Sequence, residues 1–205
     1  MKGSRGTRTI ESHPPVIKNR YAASMMENPG FSFGQFFNRT LRAAKLDPAL
    51  YEEVERDTGA LGQAIGMVVL SSLAFGIGTI GEYHGYSHVI PGMLKALVLW
   101  VLWAALTYLV GTRILPEPQT RADIGELLRT TGFSTAPGLL CVLGILPGLM
   151  GLTYLVASLW ILVAMVIAIR QALDYQTTWR AVLVCGVGFL IPFIVQFVWV
   201  TAAAA

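Results

Sequence analysis

Charged residues are scarce in this sequence. They make up 13% of its 205 residues, whereas an ordinary soluble domain carries about 25%. Hydrophobic residues account for 54%, and the mean hydropathy is +0.59. This composition excludes an ordinary soluble domain and predicts an integral membrane protein with the lipid bilayer as a partner. The net charge of +3 does not indicate binding to nucleic acid, because the basic residues form no patch on a soluble face.

Cysteines and catalytic motifs are also few. Cys141 and Cys185 both lie inside apolar runs and form no Cys-x-x-Cys pair, so we expect packing residues rather than a disulfide, metal or redox site. The sequence contains no His-Glu-x-x-His or Gly-x-Ser-x-Gly motif. The middles of its apolar runs carry essentially no charge. We therefore expect neither catalysis nor a cofactor.

A long uncharged segment runs from Ser134 to Ile169. As a single helix, this segment would extend about 54 Å at about 1.5 Å per residue, whereas a hydrocarbon core of about 30 Å needs about 20 residues. Pro147, Gly148 and Gly151 lie near its middle. Proline breaks a helix, and glycine permits a tight reversal. We predict a helical hairpin that turns at these residues; a re-entrant loop that never crosses fully is the alternative.

The other apolar runs complete an all-α membrane protein with five transmembrane helices. Small residues four apart in the first span predict close helix packing in lipid. Proline inside the last span, at Pro192, predicts a kink. The packing candidates are Gly62 with Gly66 and Ser72 with Gly76. The predicted spans are about 60–80, 93–111, 134–147, 151–169 and 181–200, within a membrane domain of residues 59–201.

The N-terminal region is more polar. Residues 1–30 are broken by proline and glycine and predict a flexible cytoplasmic tail. Residues 31–58 predict amphipathic helices: in the first, aromatic side chains share one face and basic residues lie elsewhere. This pattern fits a helix in the headgroup plane, and it fits packing against the cytoplasmic region equally well. The second helix carries acidic residues that form either a solvated face or a docking surface for a basic partner. The docking candidates are Glu52, Glu53 and Glu55.

The loop at 81–91 contains three candidate ligand residues, Glu82, His84 and His88, but no lysine or arginine. The two histidines are four residues apart, a spacing compatible with a metal or proton site. Glycine and proline in the same loop argue against the regular helix that would place both imidazoles on one face. We therefore predict no metal site and keep these three residues as candidates only.

The basic residues predict an orientation. All 15 lysines and arginines except Lys95 lie before residue 60, in the 112–135 loop or beside the 171–180 loop. Because basic residues remain on the cytoplasmic side, five spans place the N-terminus inside and the C-terminus outside. We expect Lys95, near the start of the second span, to extend to the opposite interface.

The order of these features resembles the YIP (Ypt-interacting protein) domain family. The resemblance covers residues 34–200 and is clearest in GFSTAPGLLCVLGILP at 132–147 and SLWILVAMVIAIRQALDYQTTWRAVLV at 158–184. It implies a small five-span membrane protein, linked in eukaryotes to vesicle traffic, prenylated small GTPases and membrane-shaping partners.

Eukaryotic members typically carry Asp-Leu-Tyr-Gly-Pro-Leu-Trp before the first span, whereas this chain has Asp-Pro-Ala-Leu-Tyr at 47–51. This departure counts against binding of a small GTPase. The short N-terminal region resembles that of bacterial members, which implies the bacterial cytoplasmic (inner) membrane.

We therefore expect a non-catalytic membrane scaffold or accessory subunit of a membrane complex. It would act through helix packing and interfacial helices, with other membrane proteins or a second copy of itself as partners. The alternative is a small transporter or channel with a cavity beside Pro147 and Pro192. A third hypothesis makes His84 and His88 ligands of a metal or a pigment.

Overall fold

A computed structural model describes residues 32–80 and 85–203 of the protein. In this part of the chain every regular element is helical. The tail predicted at 1–30 lies outside the described residues, as do Glu82 and His84. The elements are, in order, α1 (Phe33–Ala44), α2 (Pro48–Arg56), a 3₁₀ turn (Thr58–Ala60), α3 (Leu61–Gly78), α4 (Val89–Leu109), a π turn (Val110–Ile114), α5 (Ile124–Phe133), a 3₁₀-helix (Ala136–Ile145), α6 (Met150–Ala172) and α7 (Thr178–Ala203).

Three of the described helices are long and apolar enough to cross a membrane. They are Thr58–Gly78, Val89–Ile114 and Met150–Ala172. A shorter apolar helix covers Thr178–Leu190, the first half of α7. The described residues therefore support an all-helical membrane protein with three candidate spans, and the count of five stays a prediction. Pro192 lies within α7, but its side chain is outside the described set, so its predicted kink is not tested.

The predicted third span, 134–147, is not an α-helix. It forms the 3₁₀-helix Ala136–Ile145, whose 10 residues extend about 20 Å at about 2.0 Å per residue. A hydrocarbon core is about 30 Å thick. Two glycines of this helix lie directly against its neighbours: an added Cβ would overlap Ser71 Oγ at Gly138 and Met150 Sδ at Gly144. The segment is therefore short and closely packed rather than a regular transmembrane helix.

The hairpin reverses direction at Leu146–Leu149. The N–H of Leu149 donates to the carbonyl oxygen of Leu146 at 3.1 Å, and Gly148 has φ +79°, the left-handed region that favours glycine. Proline followed by glycine at the two central positions is the pattern of a type II turn. Gly151 lies in the first turn of α6, where an added Cβ meets nothing within 4 Å, so no close contact requires glycine there.

Most of the glycines that lie at close contacts between helices are not the ones predicted from spacing. An added Cβ at Gly62 or Gly66 meets nothing within 4 Å, so neither residue is a point of close approach in the described part of the chain. The hydroxyl of Ser72 donates to the backbone of its own helix. Gly76 does face another helix, since an added Cβ would lie 2.9 Å from Val89 Cγ1. Spacing identifies small residues on one face, but it does not show which face meets a neighbour.

Two glycines that the spacing did not identify lie at close contacts with α3 or within it. At Gly78, an added Cβ would overlap the backbone carbonyl oxygen of Cys141. At Gly132, it would lie 2.7 Å from Ala64 Cβ. Both contacts press α3 against the segment running from α5 into the 3₁₀-helix. This segment therefore forms the centre of the described helices.

Candidate functional site

A tight turn at Leu46, which has φ 60°, joins the N-terminal helices α1 and α2. Asp47 begins α2, and its Oδ1 accepts from the N–H of Ala49 at 3.0 Å. Pro48 occupies the first helical position, where its missing N–H costs nothing. The local sequence thus ends α1 and starts α2 within three residues, which brings the two helices close enough to share ion pairs.

Arg39 joins α1 to the rest of the structure. It is only 2% exposed. Its guanidinium donates to Glu53 Oε1 at 2.9 Å, Asp57 Oδ2 at 2.7 Å and Gln63 Oε1 at 3.0 Å. These acceptors belong to α2, to the turn after it and to α3. A planar group with several donors in a fixed geometry suits such a three-way contact, so one side chain links three segments.

A second arginine on α1 adds to the same network. Arg42 donates to Asp47 Oδ2 at 2.7 Å and also pairs with Glu53. The hydrogen bond from Arg42 holds the pKa of Asp47 below its usual value. Burial acts to raise the pKa of Glu53, but hydrogen bonds from Arg42 and Arg39 outweigh it and leave that pKa lowered. Both carboxylates are therefore ionised at neutral pH and hold α1 against α2.

Arg129 on α5 fixes the other end of α2. It is 6% exposed, and its Nε donates to the carbonyl oxygen of Val54 at 2.9 Å. Its Nη2 donates to the carbonyl oxygen of Glu55. These carbonyls belong to the last turn of α2, where the helix dipole is negative and attracts a cation. Leu50 and Tyr51 are fully buried beside this contact, so α2 is part of the protein core.

The three acidic docking candidates have different surroundings. Glu53 is ion-paired within the chain, as described above. Glu52 Oε1 accepts from Gln171 Nε2 at 3.0 Å. Burial, followed by the negative charges of Asp174 and Glu126, raises the pKa of Glu55 to about 7. Glu52 and Glu53 thus already accept hydrogen bonds within the protein, and Glu55 is partly buried.

The outer face of α1 is apolar. Phe33 is 80% exposed, Phe37 71% and Leu41 45%, and their spacing of four residues places them on one stripe. Phe36 instead packs inward against α5. Arg39 lies on the buried side of the same helix. α1 therefore buries a charged side chain and exposes a stripe of apolar ones.

A cavity of about 730 Å³ lies between α3, α4, the 3₁₀-helix and α6, within the range of about 300–1,000 Å³ usual for small-molecule sites. Its walls are mostly apolar. Pro147 is not among the lining residues, and the side chain of Pro192 is outside the described set. The cavity is therefore not lined by Pro147, and the expectation of a cavity beside Pro192 is not tested. Lining residues include Val68, Gly92, Trp100, Trp103, Ile161 and Met165.

His88 lines one part of this cavity. Its Nε2 lies 2.9 Å from Thr79 Oγ1. Among the described residues, no group of three or more His, Cys, Asp or Glu side chains is placed to hold a metal ion. Since Glu82 and His84 lie outside those residues, the metal hypothesis is tested only as far as His88.

Sequence reasoning missed both buried arginines, because arginine on an amphipathic helix is normally assigned to the solvated face. One signal was available for Arg39. It lies between Phe36 and Ala43 at helical spacing, on the face opposite Phe33 and Phe37, and several carboxylates follow within the next twenty residues or so. No comparable signal marks Arg129, whose acceptors are backbone carbonyls.

Long apolar helices and a polar end held by ion pairs place this chain among the α-helical membrane proteins. The model of a protein family, the Yip1 domain, matches residues 46–200, which is most of the chain. The protein therefore belongs to the Yip1 domain family, as the sequence resemblance predicted. No curated protein and no solved structure matched the chain.

Proposed function

We propose that this protein is a non-catalytic scaffold of a membrane complex whose N-terminal helices load one leaflet of the bilayer. One observation carries the proposal: α1 buries Arg39 and exposes Phe33 and Phe37. Membership of the Yip1 domain family supports a membrane location.

The exposed stripe suits the boundary between headgroups and acyl chains. Full burial of a phenylalanine or leucine side chain stabilises by about 1.5–3 kcal/mol, and three such residues lie on the stripe. Lys45, which is exposed one turn after Leu41, can extend its ammonium group to lipid phosphates. Aromatic residues together with a basic side chain are typical of helices that lie in the membrane interface.

The hydrogen bonds and ion pairs of Arg39 fix the position of α1 relative to the spans, and so its depth in the leaflet. A loosely attached helix would adjust its depth in the leaflet independently of the spans. Here Arg39 bonds to Gln63 on α3, so α1 is held at a fixed position relative to a membrane-spanning helix. A rigidly held helix that displaces headgroups in one leaflet favours a curved bilayer. The positive-inside rule assigns that leaflet to the cytoplasmic side, with the N-terminus inside and the C-terminus outside.

Depth measurements test whether α1 lies in the interface. A nitroxide label at Phe37→Cys should collide preferentially with oxygen in reconstituted vesicles, whereas the same label at Asn38→Cys, on the flank of the same helix, should meet a water-soluble nickel complex more often. Both native cysteines are buried and should label little. Equal access of the nickel complex to both positions would rule out the interfacial position of α1.

Vesicle shape tests the consequence of insertion. As the protein-to-lipid ratio increases, the wild-type protein should reduce the diameter of reconstituted vesicles measured in electron micrographs. The double variant Phe33→Ser/Phe37→Ser should lose this effect, and the control Asn38→Ser should keep it. If the double variant narrows vesicles as the wild type does, the stripe on α1 is not the source of curvature.

A further inference from the structure

The cavity between α3, α4, the 3₁₀-helix and α6 lies along α4, the least buried of the three candidate spans. Near its start, Val89 packs on Gly76 of α3. Further along, Trp100 Nε1 donates to Thr131 Oγ1 of α5 at 3.1 Å. Only 11% of the hydrophobic window of α4 is buried inside the protein, against 44% for α3 and 33% for α6. Gly76, Val89 and Trp100, which make these contacts, also line the cavity, and the low burial of α4 leaves much of its surface to the surrounding lipid.

The interior of the cavity is suited to an acyl chain. The hydroxyl of Ser71 donates to the carbonyl oxygen of Thr135 at 3.0 Å, and the hydroxyl of Ser72 donates to its own helix. These hydrogen bonds turn the hydroxyl groups of Ser71 and Ser72 back to the protein. From Val89 to Trp103, the lining follows α4 for roughly 21 Å at about 1.5 Å per residue. The space is thus elongated and mostly apolar.

A positive charge lies beside the cavity. Lys95 lines it about midway along its α4 wall and is exposed. None of the ion pairs among the described residues includes Lys95, whereas most of the arginines at the polar end have partners. A lysine ammonium is a point charge that binds phosphate groups well, and no Asp or Glu is among the described residues that line the cavity.

We propose that this cavity binds one anionic phospholipid of the surrounding bilayer. One acyl chain lies between α4 and α6, towards Trp103 and Met165, and the headgroup phosphate lies at Lys95. The lipid fills the space that α4 leaves open and pairs the lysine charge. This site shares no residue with the stripe on α1, so it stands or falls independently of leaflet loading.

Two substitutions test binding of the acyl chain and binding of the charged headgroup separately. Gly92 lines the cavity, and an added Cβ there meets nothing within 4 Å, so Gly92→Phe places a ring in the lipid space without displacing protein atoms. Gly151→Phe is the matched control, because that glycine also has open space around it but lies outside the cavity. Lys95→Gln removes the charge. Arg113→Gln removes a positive charge just after the other end of α4 and controls for general attraction of anionic lipid.

The measurement is native mass spectrometry of the full-length protein in detergent, titrated with dimyristoyl phosphatidylglycerol or dimyristoyl phosphatidylcholine. The wild-type protein should retain one phosphatidylglycerol per chain in preference to phosphatidylcholine. Lys95→Gln should lower affinity for phosphatidylglycerol about fivefold, the effect of one lysine on an anionic headgroup, and should remove the preference. Gly92→Phe should lower binding of both lipids, whereas Arg113→Gln and Gly151→Phe should bind as the wild type does.

Three results would overturn the proposal. The first is equal retention of the two lipids by the wild type. The second is equal loss of binding in Lys95→Gln and Arg113→Gln. The third is a lipid-free dimer that Gly92→Phe dissociates, which would make a second copy of the chain the occupant. If Gly92→Phe does not fold, the comparison of Lys95→Gln with Arg113→Gln still decides. Nitroxide depth at Phe37→Cys should be unchanged in every cavity variant, so failure here leaves the leaflet-loading proposal intact.

Discussion

Replacing Arg39 by leucine should detach α1 from the protein. The substitution removes hydrogen bonds to Glu53, Asp57 and Gln63 at 2.9, 2.7 and 3.0 Å. Breaking a fully buried ion pair costs about 3–5 kcal/mol. Here the side chains of Glu53 and Asp57 are 39% and 38% exposed, so water can reach the carboxylates left behind. We therefore expect a smaller cost of about 2–3 kcal/mol for holding α1 in place.

Hydrogen exchange reports this cost directly, because local opening of a segment exposes its amides without unfolding the rest. A loss of about 2–3 kcal/mol corresponds to about 30–150-fold faster exchange in α1. Amides of α6 serve as the internal reference and should not change. The protein should be measured in the same detergent throughout.

Arg56→Leu is the matched control for this experiment. Its guanidinium lies 3.7 Å from Glu52, and the two side chains are 78% and 50% exposed. Exposed pairs of this kind contribute about 0.3–0.5 kcal/mol, which is about twofold in exchange. If Arg39→Leu accelerates exchange in α1 by less than about threefold, or no more than Arg56→Leu does, then the buried guanidinium does not hold the helix.

Three further predictions concern packing, pH and the hairpin turn. Gly78→Ala places a Cβ against the backbone of Cys141 and should lower the free energy of unfolding, measured by thermal unfolding in detergent, by about 1–3 kcal/mol. Gly66→Ala, on the same helix, should raise this free energy or leave it unchanged. Gly148→Ala, at φ +79°, should cost about 1–2 kcal/mol in the same assay. In the folded protein the pKa of Glu55 is raised to about 7. The stability associated with its protonated carboxyl group is fully present below the unfolded-state pKa and is lost as pH rises through about 7. Glu55→Gln should match the wild type at pH 4.5 and exceed it by about 1–2 kcal/mol at pH 8, allowing for solvent screening; a difference that is constant with pH would contradict this.

The parts of the fold that depend on local sequence could be predicted. Helical character and membrane location follow from long uncharged runs. The reversal near Pro147 and Gly148 follows from the conformations that proline and glycine permit. In each case a few neighbouring residues determine the outcome, so no knowledge of distant contacts is needed.

The remaining features depend on contacts between distant segments. The 3₁₀ form of Ala136–Ile145 reflects its position against α3 and α6, where glycines allow backbones to approach. Arg129 reaches carbonyls that lie more than seventy residues earlier in the chain. Composition and periodicity record neither the partner nor the distance, so the buried arginines and the cavity could be found only once the segments were placed together.

The polar end of the protein and its membrane region are packed by different kinds of contact. At the polar end, Arg39 and Arg129 supply specific, directional bonds that fix α1 and α2 against the spans. Inside the membrane region, α4 has few such bonds and leaves a cavity beside its neighbours. In water such a cavity would fill with solvent, but in a bilayer the available filler is an acyl chain. Under the two proposals, the protein contacts the bilayer at two places, with an aromatic stripe at one leaflet and a lysine-marked cavity within the spans. A lipid bound in the cavity would then complete the packing of α4.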